Sequence, residues 1–146
     1  MFALLIGIDE YDHQVPLYGA VADAEAFKSF LLDRLNVPAN QITLLTNRKA
    51  TRSGIIDALK KLKDDEDIRE GNAILVFYAG HGTEINDSTT GPGTKSYKVQ
   101  AIIPQDCNGQ DIHPICDWAF GDLIGDIYRA KGDNIVGKPL LCTQSS

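Results

Sequence analysis

Apolar residues in this chain gather into short unbroken runs separated by longer stretches in which they recur every three or four positions. Phe2 to Ile8, Ile42 to Leu45 and Ile74 to Tyr78 are the runs. Runs of this length, rich in β-favouring residues and bounded by glycine or charge, predict strands covered on both faces, as in the middle of a parallel sheet. Between them the period lengthens. Phe27, Phe30, Leu31 and Leu35 share one face of a helix expected from about Val21 to Leu35, with Pro38 marking its end. Ile55, Ile56, Leu59 and Leu62 predict a second helix, capped by Thr51, with Lys60, Lys61 and Lys63 late in it where cations suit the macrodipole. Phe120, Leu123, Ile124 and Ile127 predict a third, beginning near Asp117. All three stripes read as faces packed into the core, without chemistry of their own. The alternation predicts an α/β fold: a mostly parallel central sheet with helices on both faces, and with Ile6, Leu44, Val76 and Ile103 in its strands.

His81 stands between Gly80 and Gly82 at the end of the third run. Two glycines permit a sharp turn and a close approach, which would leave the imidazole at the carboxyl end of a strand, where open α/β sheets bind ligands. Asn86 to Lys95, rich in Gly, Ser, Thr and Pro, is expected to form a surface loop and one wall of a substrate cleft. Asp9 and Glu10 after the first strand would also suit a phospho-receiver domain. That reading fails because the third strand offers His81 where a phosphorylatable aspartate would be needed.

A chain of 146 residues with 43% hydrophobic content forms one domain with a core. Its net charge of −6 and the lack of a basic cluster interleaved with aromatics argue against nucleic acid as a partner. No apolar run approaches the roughly 20 residues that span a bilayer, so no membrane partner is expected. The opening run has no basic flank and meets Asp9 and Glu10 at once, which reads as strand one and not as a signal peptide. Cys107, Cys116 and Cys142 form no CxxC pair and no regular framework, which suits a reducing cytosol. Cys107, His113 and Cys116 are three scattered residues, one ligand short of a tetrahedral metal site.

The segment Tyr78-Ala79-Gly80-His81-Gly82 resembles the histidine motif of the caspase and metacaspase family of cysteine endopeptidases. Phe2 to Ile8 is similar to that family's first strand, and Leu17 to Ala24 to its entry into the first helix. Ile42 to Leu45 followed by Thr51 matches its second strand and helix. Residues 1–136 are thereby identified as the histidine-bearing part of a caspase-like domain closest to fungal metacaspases, a three-layer fold truncated at its C-terminal end. The resemblance implies acyl transfer from a peptide to a cysteine, with His81 moving protons and the Gly82 N–H serving the oxyanion. It further implies proteolysis in processes such as programmed cell death, a peptide or protein substrate and a cytoplasmic location. No cofactor is expected in this chain, with calcium an ion for an intact metacaspase.

The nucleophile of that family follows the pattern Asp-x-Cys-His-Ser-Gly, which this chain lacks. Lys131 to Val136 leads into the expected strand, and then Gly137 to Ser146 departs from the pattern. An ungapped reading from Lys131 puts Cys142 where the nucleophile would stand, with Leu140 in place of the aspartate. Gly137, Lys138 and Pro139 argue against a strand there, since proline removes a ladder bond and a buried lysine would be unpaired. The codons GGT-AAG for Gly137-Lys138 would contain the common start of a spliceosomal intron, so 137–146 read as a divergent tail, either translated intron or the end of a genuine short isoform, which would look the same in sequence. The expected consequences are a catalytically incomplete chain and an unpaired edge on the strand of residues 73–78. Such an edge would promote association with itself or with an intact relative. The alternative is an inactive caspase-like binding or regulatory module.

Residues 1–27 hold no Lys or Arg but carry Asp9, Glu10, Asp12, Asp23 and Glu25. With Glu84 and Asp87 beyond the histidine, these acids favour a basic residue before the scissile bond through charge complementarity. Asp23, followed by Asp9 and Glu84, is the leading candidate for substrate binding.

Overall fold

A computed structural model of the chain describes residues 1–87, 93 and 97–142, with 87 and 138–142 described by their backbone alone. Strand β1 (Phe2–Gly7) is followed by helix α1 (Ala20–Asp33), strand β2 (Ile42–Thr46) and helix α2 (Arg52–Asp64). Then come β3 (Ile74–Asp87), β4 (Tyr97–Ile102), the short β5 (Ile115–Cys116), α3 (Asp117–Lys131) and β6 (Ile135–Cys142). β1 lies between β2 and β3, parallel to both, and β6 adds in parallel to the other side of β3. β4 and β5 continue as an antiparallel annex on the second half of β3.

The core follows from the alternation of β1. Leu4 and Ile6 point to one face and pack with Ile55, Leu59 and Leu62 of α2 and Ile127 of α3. Ala3 and Leu5 point to the other and meet Ala20, Ala24 and Leu31 of α1. The expected α/β sheet with helices on both faces is therefore present. Thr51 caps α2, its Oγ1 accepting from the Gly54 N–H at 3.0 Å. Lys131, at the end of α3, donates through Nζ to the carbonyls of Asp65 and Ile68 at 2.7 and 2.8 Å, tying α3 to the segment that leaves α2.

Five expectations need correction. Phe30 and Leu35 are each 48% exposed, so the stripe of α1 is only partly core. They border an apolar groove that also involves Met1 and Val136. Ile103 lies one residue past β4, and that strand is antiparallel. Asn86 and Asp87 belong to β3, so the loop begins later than expected, and 88–92 and 94–96 lie outside the described residues.

His81 does not end its strand in a turn. β3 runs straight through Gly80-His81-Gly82 and changes partner there, from β1 and β6 to β4.

The fifth correction concerns residues 137–142, which form the second half of β6 instead of breaking it, so β3 has no bare edge along residues 74–81. Proline is tolerated because of phase. The Ile74 N–H donates to the Asn134 carbonyl, so even-numbered residues of β6 direct their peptide groups at β3 and the nitrogen of Pro139 faces outward. Among the described residues β6 has no second neighbour, and an edge strand is where a proline costs no ladder bond.

Candidate active site

His81 is set by three segments that converge at the carboxyl edge of the parallel strands. Its main-chain N–H donates to the Tyr11 hydroxyl at 2.7 Å, and its carbonyl accepts from the Ile103 N–H at 3.0 Å and from the Tyr78 hydroxyl at 2.8 Å. The Tyr78 hydroxyl also reaches the Ile103 carbonyl at 3.0 Å. Burial, reinforced by the adjoining Tyr11 hydroxyl, pushes the Tyr78 hydroxyl far above the ordinary phenol range. It is therefore a fixed, protonated strut and not an acid or base.

The imidazole is 4% exposed and lies against the Tyr11 ring, with centroids 4.8 Å apart. Its Nε2 is 2.7 Å from the carbonyl oxygen of Val15. A carbonyl only accepts, so Nε2 must carry the proton, and in the neutral ring Nδ1 is left holding the lone pair. A buried imidazole with an assigned tautomer is what a general base requires.

Gly82 has a matching orientation. The bond from the Ile103 N–H to the His81 carbonyl makes Gly82–Ile102 a non-hydrogen-bonded pair, so the Gly82 N–H points away from β4. By alternation it faces the side of β3 on which β6 runs. Along that strand pair, Cys142 is the register partner of His81. Adjacent strands are about 4.8 Å apart, so spacing along the sequence and register in the sheet bring the same two backbone positions together.

The acidic candidates are less unified. Asp9 follows β1 at the same edge, but both its carboxylate oxygens are engaged at the start of α1, accepting from the Ala20 N–H at 2.8 Å and the Val21 N–H at 3.2 Å. Asp23 is exposed in the first turn of α1, where a negative charge suits the helix dipole. Glu84 stands three residues beyond His81 on the same strand, hence on the opposite face, and pairs with Lys98 at 3.2 Å in the open. We expect Asp9→Ala to lower stability by about 0.5–2 kcal/mol, the usual cost of losing a helix cap, as read from urea unfolding. An unchanged midpoint would leave substrate contact as its main task.

Cys107 is buried, and burial pushes its thiol pKa up, the wrong direction for a nucleophile. Among the described residues no group of three or more His, Cys, Asp or Glu is placed to hold a metal ion, so no step is assigned to calcium. Among them, too, no helix is long and apolar enough to cross a membrane. Sequence reasoning singled out His81 and Gly82 and did not include Tyr11 and Val15, which the structure places against the imidazole. Val15 acts through its carbonyl, which leaves no mark in a sequence, whereas Tyr11, an aromatic in a polar loop just after strand one, was a visible signal.

A buried histidine with one tautomer fixed at the carboxyl edge of an α/β sheet is an arrangement capable of proton transfer. The caspase-domain profile matches residues 1–119, and the chain belongs to that family, one of cysteine peptidases. Metacaspase-9 of Arabidopsis thaliana is 29% identical over 143 residues, covering 92% of this chain and 41% of that protein. Metacaspase-7 of the same plant is 30% identical over 130 residues, covering 86% of this chain and 30% of its own length. Metacaspase-1 of Scheffersomyces stipitis is 31% identical over 110 residues, 71% of this chain and 26% of the yeast protein. The chain thus spans less than half the length of these relatives. A crystallised protein from Geobacter sulfurreducens shares the fold, with a TM-score of 0.71 at 22% identity over 94% of this chain and 48% of that one.

Proposed function

We propose that the protein is the histidine-bearing portion of a metacaspase-type cysteine endopeptidase that cleaves after Arg or Lys, and that this chain alone is catalytically incomplete. The observation that carries the reading is the Val15 carbonyl on Nε2 of His81, which leaves Nδ1 as the acceptor for a thiol proton. In the reaction, Nδ1 takes the proton of a cysteine as its sulfur attacks the scissile carbonyl. The Gly82 N–H then faces the developing oxyanion, and the imidazolium returns the proton to the leaving amine. A role in cell-death proteolysis is part of the same proposal and rests on the family alone.

Incompleteness rests on Leu140 standing where the family has an acid, and on Thr143 to Ser146 replacing His-Ser-Gly after the cysteine. Register with His81 favours Cys142 as the nucleophile's position, while those neighbours would leave its thiol without activation. The basic-residue preference is supported by the acids of residues 1–27, of which Asp9 and Asp12 are already hydrogen-bonded and Glu10, Asp23 and Glu25 are exposed.

The 146-residue chain is expected to give no measurable cleavage of Arg or Lys peptides. The same chain with 137–146 replaced by a continuation carrying Asp-x-Cys-His-Ser-Gly and the rest of the domain is expected to cleave them. Cleavage by the unaltered chain that vanishes on Cys142→Ala would refute incompleteness. Sequencing the messenger across the codons for Val136 and Gly137 tests the origin of the tail, an uninterrupted transcript without an intron start arguing against the translated-intron reading.

A further inference from the structure

We propose that Gln105 is a positioning residue for His81, acting through Asp12 on the turn that carries Val15. The inference rests on the reading of His81 as a general base, and concerns what holds its tautomer.

Among the described residues, Gln105 and His81 are the buried polar side chains of the core, at 5% and 4% exposure. A buried carboxamide is costly unless its hydrogen bonds are made, so its partners matter. Gln105 is anchored from behind, its N–H donating to the Ala50 carbonyl at 3.0 Å. In front it grips Asp12 at two points. The Asp12 N–H donates to the Gln105 carbonyl at 3.1 Å, and Gln105 Nε2 donates to Asp12 Oδ1 at 3.0 Å. A carboxylate only accepts, so the amide must present its nitrogen there, and the bond is charge-assisted.

The segment gripped is irregular and lightly packed. Asp12 to Pro16 is exposed throughout, with Val15 at 55%. Packing therefore cannot fix where the Val15 carbonyl sits, and hydrogen bonds must. The turn is fastened at its far end by the Leu17 N–H on the Asp9 carbonyl at 2.8 Å. At its near end are Tyr11, beneath the imidazole, and the grip of Gln105 on Asp12. Val15 lies three positions beyond Asp12, a reach of about 10 Å when extended, so losing that grip frees the carbonyl to leave Nε2. A neutral amide does this without adding charge beside the imidazole.

The test reads the bond directly and needs no peptidase activity, so its outcome is separable from failure of the proposed function. In chain labelled with 15N-histidine, the Nε2–H of His81, identified by its loss in His81→Gln, is expected to give a protected cross-peak. Gln105→Leu, which keeps the volume and removes the donor, is expected to speed exchange of that proton at least tenfold. Asp12→Ala, at an exposed position, is expected to do the same even if Gln105→Leu fails to fold. Asp12→Asn, which keeps an acceptor oxygen, should restore wild-type exchange. Unchanged exchange in folded Gln105→Leu or in Asp12→Ala would overturn the proposal, as would rapid exchange in Asp12→Asn.

Discussion

Exchanging His81 for alanine, in a chain continued with the family's nucleophile motif, is expected to lower kcat on Arg and Lys peptides by about two to four orders of magnitude, the usual worth of a positioned general base. The loss should fall on kcat far more than on KM. His81 is 4% exposed and bonded to Val15 on its Nε2 side, so it offers a bound peptide little surface and acts on the proton in flight. Glu84→Gln supplies the contrast. Its carboxylate is on the opposite face of β3 and paired with Lys98 in solvent, where such a pair contributes little. That variant should keep kcat, with any change confined to KM for basic peptides. Measuring both constants for both variants decides the matter. Wild-type turnover in His81→Ala would remove the histidine from the mechanism.

Much of the fold was legible because burial on both faces leaves a strong mark. The runs at Phe2 to Ile8 and Ile74 to Tyr78 could be read as central strands with no knowledge of partners, and the stripe of α2 matched its buried positions Ile55, Leu59 and Leu62. What failed depended on phase or on neighbours. Pro139 looked fatal to a strand, yet its effect turns on which way its nitrogen faces and on β6 lying at an edge, neither of which a sequence displays. Phe30 and Leu35 fit the helical period but are each half-exposed, and Leu35 lies past the end of α1 at Asp33. At the site, the motif histidine was plain, while the carbonyl of Val15 and the grip of Gln105 on Asp12 are main-chain and long-range contacts without a local signature. Of the two reasons read for the motif glycines, the sharp turn is absent, whereas close approach is what Gly80 allows.

Gly80→Val is expected to lower unfolding free energy by about 3–5 kcal/mol, a large part of the roughly 5–15 kcal/mol typical of a domain. Gly80 has no positive φ and sits within a regular strand, so backbone freedom is not its purpose. Space is. A Cβ at this position would fall 2.7 Å from the hydroxyl oxygens of both Tyr11 and Tyr78 and 2.9 Å from Tyr78 Cζ. Neither tyrosine can retreat cheaply. Tyr78 is 1% exposed with its hydroxyl on the carbonyls of His81 and Ile103, and Tyr11 takes the His81 N–H. Overpacking would cost about 1–3 kcal/mol, and each buried hydrogen bond it breaks a similar amount. The second glycine-side tyrosine can be relieved separately: Tyr11→Phe in the Gly80→Ala background removes one of the two clashing oxygens. That double variant should recover part of the loss suffered by Gly80→Ala alone, although Tyr11→Phe by itself destabilises by removing the acceptor for His81. Urea unfolding of the four proteins gives the coupling energy directly. A Gly80→Val chain as stable as wild type, or a coupling energy of zero between positions 11 and 80, would show that the strand shifts freely here and that the glycine is not held by the tyrosine pair.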